Sequence, residues 1–286
     1  MLVKRSETRR GRGESLRQGK RRETSEFKMI TNVTQYLSHT PTHTSHTQTH
    51  QIKYMKILHL DSHLAIVVKR SNQLTVPHAA STSPTTLDDL VSHLKTTNQR
   101  HFVQSVHRLD YVVGGLTLFG RSDKGVKRLT KMMAERSIEK WYIAKAAGPL
   151  YIPESNQKKG VIKMMVETNR FASLSDKNSS RMKLAKSHYE VLDEKSNLVR
   201  FKLDTGRRHQ LRLAALHHFR TPLMNDTFYG APPCETMDGI GLFSSRLKFV
   251  HPVTQENFDV RVPDEFLPDW VTVDMDHSQL NKLLNQ

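Results

Sequence analysis

One stretch constrains the fold of this chain more than any other. The charged tetrad His107-Arg108-Leu109-Asp110 runs through a glycine pair into the apolar segment 116–119. An apolar run bounded by glycine favours a buried strand. A carboxylate and an arginine just before such a strand lie at the rim of a core, where charge is costly unless it is paired or solvated. Taken alone, the tetrad fits a loop with a surface ion pair better than a site, so its meaning depends on residues further along the chain.

Short strands with few helices dominate the pattern between residues 52 and 262. Alternating or continuous apolar runs predict strands at residues 57–61, 64–69, 116–119, 140–146, 188–192, 198–203, 242–250 and 258–262. Amphipathic spacing predicts helices at residues 86–94, after Ser122 and near residues 207–216. Residues 150–186 are expected to be irregular and basic. The pattern favours an α+β domain with a largely antiparallel sheet.

Charge and cysteine content limit the class of partner and site. The formal net charge of +16 favours a polyanion partner, most often nucleic acid, or an anionic membrane surface. Cys234 is the sole cysteine, which excludes a disulfide scaffold and a zinc site built on several cysteines. No run approaches the ~18 apolar residues that cross a bilayer. We therefore expect a soluble protein in a reducing compartment.

The first 52 residues differ in composition from the rest. Residues 1–28 are crowded with Arg and Lys and nearly lack large apolar side chains, and residues 38–50 form a His/Thr tract. Such segments cannot offset the entropy of ordering, so we expect a disordered extension, and a disordered linker rather than a metal site in the His/Thr tract. Arg and Ser favour a mitochondrial targeting segment, whereas four Glu residues count against it. An RNA-contacting arm on a cytoplasmic or nuclear protein is the alternative. The predicted domain covers residues 53–270, and residues 271–286 form a tail.

Five motifs in a fixed order identify a family. They are His107–Asp110 with Gly115-Leu116, Lys140-Trp141-Tyr142, the segment from Thr205 to Arg212, Asp226 with Tyr229-Gly230, and His251-Pro252. In this order and at these separations, over roughly residues 55–266, the chain resembles the RluA-type pseudouridine synthases, which isomerise uridine in RNA. The resemblance implies the pseudouridine synthase fold, a mixed and mostly antiparallel central sheet flanked by helices, with an RNA-binding cleft.

The resemblance also assigns roles to residues. The reaction breaks a C–N glycosidic bond, turns the uracil and rejoins it through carbon 5, so it needs a carboxylate near the anomeric carbon, and Asp110 matches that residue. Arg212 matches the guanidinium expected to keep Asp110 ionised through a fork-like ion pair. Tyr142 matches the tyrosine that stacks on uracil and helps to move the carbon-5 proton.

The remaining matched residues concern RNA. Arg108 matches the arginine that holds the target nucleotide out of its stack, and the motifs imply further RNA contacts for His107, Arg207 and Lys140. His209 and Gln210 are expected to be structural hydrogen-bonding residues. No cofactor and no metal are implied. The expected partner is ribosomal or transfer RNA, with a ribosome assembly particle as a further candidate and no membrane; the sequence leaves the oligomeric state open.

Four departures from the family pattern affect the surroundings of the site. Val113-Gly114 replaces two hydroxyl residues, Arg70-Ser71-Asn72 replaces Pro-x-Gly after a lysine, Asn225 replaces a glycine, and Phe243-Ser244 replaces His-Ala. These changes are expected to loosen and reshape the supporting shell, where small displacements reduce rate. The alternative function is therefore a catalytically weak or silent RNA-binding factor in ribosome assembly, including mitochondrial ribosome assembly.

Overall fold

The fold is a mixed sheet with helices packed on it. The computed structural model describes residues 28–29, 55–152, 158–167 and 182–272. The strands in these ranges are β1 (Lys28–Met29), β2 (Lys56–Leu60), β3 (Leu64–Lys69), β4 (Gln104–Ser105), β5 (Gly114–Gly120), β6 (Glu139–Lys145), β7 (Lys159–Glu167), β8 (Met182–Asp193), β9 (Leu198–Leu203), β10 (Leu242–Val250) and β11 (Asn257–Arg261). The helices are α1 (Thr86–Thr96), α2 (Asp123–Ala134), α3 (Gln210–His218) and α4 (Asp269–Thr272).

The strand order across the sheet is β2-β3-β5-β10-β6-β9-β8-β7, with β4 paired to β5 and β11 paired to both β10 and β1. Most pairs are antiparallel, and the parallel pairs are β5 with β10 and β1 with β11. This topology confirms the predicted α+β class with a mostly antiparallel sheet. It also places β10, a late strand, between the two earlier strands β5 and β6.

The centre of the sheet depends on a glycine. β5 is buried along its whole length, and Gly115 has a φ of +110°, which L side chains rarely adopt. A Cβ at this position would lie 2.3 Å from the backbone oxygen of Ser244 on β10. Glycine is therefore what allows β5 and β10 to approach as parallel neighbours, and this approach positions the site described below.

The two helices on the N-terminal half begin where the sequence predicts. Thr85 and Asp88 form a capping box at the start of α1, and the Ser122 hydroxyl accepts the Gly125 N–H at the start of α2. Each cap satisfies backbone N–H groups that have no partner inside the helix. No helix within the described ranges is long and apolar enough to span a membrane.

Two expectations from sequence are wrong. The segment 150–186 is not irregular throughout, because it contains β7 and the start of β8, which pair in register from Lys159 opposite Glu190 to Glu167 opposite Met182. Residues 28–29, expected to lie in a disordered extension, form β1 and pair with β11. The rest of that extension, including the His/Thr tract, and the tail from residue 273 lie outside the described residues, so the predicted domain division stays a prediction.

Candidate active site

A cleft of about 1100 Å³ brings the predicted residues together. All seven line it, although they come from loops, a strand and a helix far apart in sequence: His107, Arg108, Asp110, Lys140, Tyr142, Arg207 and Arg212. The cleft lies beside the tetrad loop before β5, the half-buried first part of β6 and the loop that leads into α3.

Sheet register positions the strands behind the site. Ser244 on β10 lies opposite Gly115 on β5 and opposite Tyr142 on β6. A register shift in β10 directly follows, between Ser244 and Arg246, and such bulges commonly redirect side chains beside active sites. The row Gly115–Ser244–Tyr142 therefore fixes the distance between the tetrad loop and the tyrosine.

The tetrad loop is anchored at both ends. His107 Nε2 accepts the backbone N–H of Leu118 at 3.0 Å, so this imidazole holds the loop against β5. The backbone N–H and carbonyl of Leu109 are both bonded to the Thr75 hydroxyl, each at 3.2 Å. The carbonyl of Asp110 accepts the N–H of Val113, which closes a turn after the carboxylate.

Lys69 also holds the tetrad loop in place through hydrogen bonds to the backbone. This lysine was not among the site residues predicted from the sequence. Its side chain is 1% exposed, and its ammonium donates to the carbonyls of Arg70 at 2.8 Å, Gln73 at 2.6 Å and Tyr111 at 3.2 Å. Burial lowers the pKa of Lys69 to about 7, although the negative charge of Asp110 acts to raise it. A lysine that ends an otherwise apolar strand was the available signal.

Arg212 pairs with two carboxylates, and this corrects one expectation. The fork-like ion pair predicted with Asp110 is formed instead with Asp226, whose two oxygens lie 2.7 Å from Arg212 Nε and Nη2. Asp110 Oδ2 lies 3.5 Å from Nη1. Asp226 is 1% exposed and needs the fork because it has no access to water, whereas the Asp110 side chain is 33% exposed and can be hydrated.

The net effect on Arg212 is a firmly held charge beside Asp110. Burial works against this charge, but hydrogen bonds and charges from Asp226, together with the charge of Asp110, outweigh it and raise the pKa of Arg212. Asp110 is thus a partly exposed carboxylate facing a fixed guanidinium, as a nucleophile or base that must stay ionised requires.

His209 links Arg212 to a second aromatic residue. Arg212 Nη1 lies 3.0 Å from His209 Nε2, and His209 Nδ1 lies 2.8 Å from the Tyr229 hydroxyl. Because a guanidinium can only donate, Nε2 accepts and the ring proton is assigned to Nδ1. Burial and the charge of Arg212, against the opposing charge of Asp110, lower the pKa of His209, so the imidazole is neutral. Its backbone is left-handed, with φ of 53°, a conformation that non-glycine residues adopt mainly where the surroundings enforce it.

Gln210 is the structural residue that its position predicts. Its amide oxygen accepts from the Thr205 hydroxyl at 2.7 Å and from the Arg207 N–H at 3.0 Å. Its amide nitrogen donates to the Ser187 hydroxyl and the Lys186 carbonyl on β8. This buried amide ties the loop before α3 to the sheet. His209 also has a hydrogen-bonding role, but it bonds to side chains and does not cap the helix.

Tyr142 lies at the back of the cleft and is only 6% exposed. Burial raises the pKa of its hydroxyl far above the usual value, and the charge of Asp110 acts in the same direction. The phenol is therefore protonated at neutral pH. It can stack, donate a hydrogen bond or give a proton, but it is not a resting phenolate base.

The predicted RNA-contacting cations occupy the mouth and wall of the cleft. Arg108 is exposed, as an arginine that enters RNA requires. Arg207 Nε donates to the Leu184 carbonyl at 3.1 Å, and burial lowers the pKa of Lys140. The Nε2 atom of His107 is occupied by the hydrogen bond from the Leu118 N–H. RNA contacts of these residues stay predictions.

The departures from the family pattern are compensated within the fold. A Cβ on Gly114 would lie 2.9 Å from Ser71 Oγ and 3.0 Å from the Phe243 ring, so these two replacement residues fill the space that a larger residue at 114 would need. Asn72 and Asn225 stand where the family has glycine and have φ of 56° and 60°; asparagine tolerates this region better than most residues. The expectation of a loosened shell is wrong around Gly114.

Asn225 also organises the loop that follows. Its amide nitrogen donates to the carbonyl of Gly239 at 2.6 Å, and its oxygen accepts the N–H of Cys234 at 2.8 Å. The N–H of Ile240 then bonds to the Val112 carbonyl beside the tetrad. Within the described ranges, no cluster of three or more His, Cys, Asp or Glu side chains could hold a metal ion.

Comparison with known proteins places this geometry in a family. Residues 63–218 match the family of RNA pseudouridylate synthases. The chain is 33% identical over 226 residues to the dual-specificity RNA pseudouridine synthase RluA of Pasteurella multocida, covering 74% of this chain and 94% of that protein. It is 28% identical over 223 residues to ribosomal large subunit pseudouridine synthase D of Nitrosomonas europaea, covering 73% of this chain and 62% of that protein.

A solved structure agrees at the level of the fold. Human RNA pseudouridylate synthase domain containing 1 superposes with a TM-score of 0.60 at 17% identity, covering 84% of this chain and 98% of the other. The family match extends over more than half of the chain, and the sequence similarity to RluA extends over nearly all of that enzyme. The chain belongs to the RluA-type family of RNA pseudouridine synthases.

Proposed function

We propose that this chain converts uridine to pseudouridine in RNA with Asp110 as the catalytic carboxylate. One observation supports this proposal most directly. Asp110 Oδ2 lies 3.5 Å from Arg212 Nη1, and both residues line the same cleft as Tyr142. These residues lie on a loop, a helix and a strand that only the completed sheet brings together.

Asp110 acts at the sugar of the target nucleotide. Its carboxylate attacks, or removes a proton, at the anomeric region while the bond from carbon 1′ to nitrogen 1 of uracil breaks. The freed uracil turns within the cleft and carbon 5 bonds to the anomeric carbon. In the attack route this bond displaces the Asp110 carboxylate, and in the proton-removal route Asp110 returns its proton to the sugar. The proton on carbon 5 then passes to water or to the free carboxylate. The atoms of uridine are conserved overall, with one proton lost from carbon 5 and one gained at nitrogen 1.

Tyr142 and Arg212 have separate tasks in this scheme. Arg212, fixed by Asp226, lies 3.5 Å from Asp110 and places a positive charge beside the reacting carboxylate. The protonated Tyr142 packs its ring on the uracil and offers a proton donor at the back of the cleft. Arg108, exposed at the mouth, holds the target nucleotide out of its stack, with Arg207 and Lys140 contacting the RNA backbone.

We propose ribosomal or transfer RNA as the substrate class. The support is the names of the relatives, one a large-subunit enzyme and one a dual-specificity enzyme, together with the net charge of +16. A ribosome assembly particle as a further partner and mitochondrial localisation stay predictions. Imaging of tagged chains with and without residues 1–52 tests the compartment, and loss of organellar signal on truncation is the expected result.

Chemical mapping of pseudouridines in total RNA tests the function. Cells that lack the protein should lose pseudouridine at specific uridines, and the wild-type chain or an Asp238→Asn variant should restore it, because Asp238 is an exposed carboxylate outside the cleft lining. Asp110→Asn should restore none. Full restoration by Asp110→Asn would mean that Asp110 is not the catalytic carboxylate.

A further inference from the structure

Two exposed aromatic rings border the cleft. Among the large apolar side chains that are exposed in the described ranges, Tyr111 at 51% and Phe228 at 58% are the two that line it. Both lie outside the residues to which the family resemblance assigns a role. Exposed apolar surface that lines a groove is a common feature of ligand-binding sites, so these two rings are candidates for ligand contact.

The backbone behind each ring is fixed. The Tyr111 carbonyl accepts from Lys69 Nζ and from the Gln73 N–H, both at 3.2 Å. Phe228 lies in the 3-10 turn Thr227–Tyr229, directly after Asp226, which the Arg212 fork holds. Rings presented by a fixed backbone lose little conformational freedom when they bind, so their stacking is used efficiently.

Each ring is tied to the Asp110–Arg212 pair, Tyr111 through the chain and Phe228 through the guanidinium. Tyr111 directly follows Asp110 in the tetrad loop. The Phe228 ring centroid is 5.6 Å from the Arg212 guanidinium carbon, and Arg212 is 3.5 Å from Asp110. The Phe228 ring is also braced edge-on by Tyr229 at 4.9 Å and by His209 at 5.6 Å. Neither ring can serve the target uracil in the way that the buried Tyr142 does, because both point to solvent.

We propose that Tyr111 and Phe228 form a base-stacking subsite for the unpaired nucleotides that flank the target uridine. Every base has a π-face, so aromatic rings bind unpaired RNA with little sequence preference. The exposed side chains of Arg108 and Arg208 line the same cleft and supply positive charge for the RNA phosphates. The subsite requires flanking bases that are free to stack, so the preferred substrate is a uridine in a loop or single strand and not one within a duplex. This inference rests on the proposed function, because it takes RNA as the occupant of the cleft.

Fluorescence of an adenine analogue tests the subsite. The probe is a short hairpin RNA with a uridine in its loop and the analogue beside that uridine, and an Asp110→Asn background prevents turnover. Binding should quench the analogue. Tyr111→Leu and Phe228→Leu keep an apolar side chain but remove the ring, and each should weaken binding about five- to a hundredfold. Tyr111→Phe and Phe228→Tyr should restore quenching and affinity, and a fully paired duplex should bind without quenching.

Tyr151→Leu is the matched control, because Tyr151 is 42% exposed, packs on Arg220 and lies outside the cleft lining. It should leave affinity unchanged. Unaltered affinity in both leucine variants, equal loss in Tyr151→Leu, or failure of the aromatic replacements to restore binding would overturn the subsite. If the leucine variants keep full affinity while uridine is still converted, the subsite alone is wrong. If they lose affinity but the wild-type chain converts no uridine, the proposed function is wrong, and the two rings bind unpaired RNA without serving a reaction. Matching thermal unfolding curves establish that the exposed substitutions leave the fold intact.

Discussion

Gly114 and Phe243 form a compensating pair, and substituting them tests whether the altered surroundings of Asp110 are well packed. A Cβ in Gly114→Ala would meet Ser71 Oγ at 2.9 Å and two Phe243 ring carbons at 3.0 and 3.1 Å. Carbon atoms prefer a separation of about 3.5–4.0 Å, so the ring must move by roughly 0.5–1 Å. Overpacking of this kind costs about 1–3 kcal/mol. For a domain of this size, the melting temperature should fall by about 2–12 °C.

The coupling between the two sites is the decisive quantity. Phe243→Leu removes the ring atoms that the new methyl group would contact, so Gly114→Ala should cost less in the Phe243→Leu background, by at least about 0.5 kcal/mol. Urea unfolding of the wild type, both single variants and the double variant measures this coupling. Gly148→Ala is the control, because its Cβ would have a single neighbour within 4 Å, Thr221 Oγ1 at the ordinary distance of 3.5 Å.

Two results would refute the reasoning. One is that Gly114→Ala is neutral to within about 0.5 kcal/mol, as for a surface substitution without a steric clash, and the other is that its cost is the same with and without the Phe243 ring. Either result would mean that Phe243 does not fill the space left by the missing side chain. Measured on the same variants, uridine conversion should fall together with stability, because Gly114 directly precedes the residue that joins β5 to β10.

Other predictions follow from neighbouring contacts. Gly115→Ala should abolish soluble expression, because its Cβ would collide with backbone atoms of Ser244 in a left-handed conformation; a soluble, cooperatively unfolding Gly115→Ala protein would contradict the close strand approach. Asp226→Asn should lower the free energy of unfolding by up to about 3–5 kcal/mol, because the buried Arg212 loses its bidentate partner and keeps only the longer contact to Asp110, and a loss below about 0.5 kcal/mol in urea would contradict this. Burial lowers the pKa of His107 to about 3, below its unfolded value of about 6.5. The unfolded state therefore binds more protons as the pH falls from about 6.5 towards 3, so stability should fall over that window, and less steeply in His107→Gln; equal slopes would argue against a neutral, buried His107. RNA affinity should fall with salt, and Arg108→Gln should reduce the slope of log affinity against log salt by about one, an unchanged slope indicating no phosphate contact.

The sequence predicts local structure well where one pattern acts alone. The first hairpin has apolar runs separated by a short polar turn, and α1 and α2 have helical spacing and capping residues; the structure confirms all of them. β7 was missed because Ile162 and Val166 face the core while Val161 and Met165 are exposed on the other face. With apolar residues on both faces, the strand has no alternation to detect.

The site could be predicted from sequence only in part, because some of its contacts join residues that are far apart in the chain. The resemblance selected residues that all line one cleft, but it paired the Arg212 fork with Asp110. The choice between Asp110 and Asp226 depends on which carboxylate is cut off from water, and that is decided by packing. Lys69 was missed for a similar reason, because its partners are three backbone carbonyls, and no side-chain pattern encodes them.

Backbone conformation explains why several departures are tolerated. Asn72 and Asn225 replace glycines in the left-handed region, which asparagine can adopt. From the sequence, we could tell only that the glycine of the family pattern is absent at these two positions. The structure shows that both asparagines have a positive φ, a conformation that glycine adopts readily and asparagine tolerates.

The central claim is that Asp110 converts uridine to pseudouridine in this cleft. The most direct measurement is the release of tritium from RNA labelled at carbon 5 of uridine, since the reaction replaces that hydrogen by the new glycosidic bond. Purified wild-type chain should release tritium from cellular RNA, and Asp110→Asn, folded and still able to bind RNA, should release none. Equal release by both proteins, or RNA binding by the wild-type chain with no release from any RNA fraction, would contradict the account.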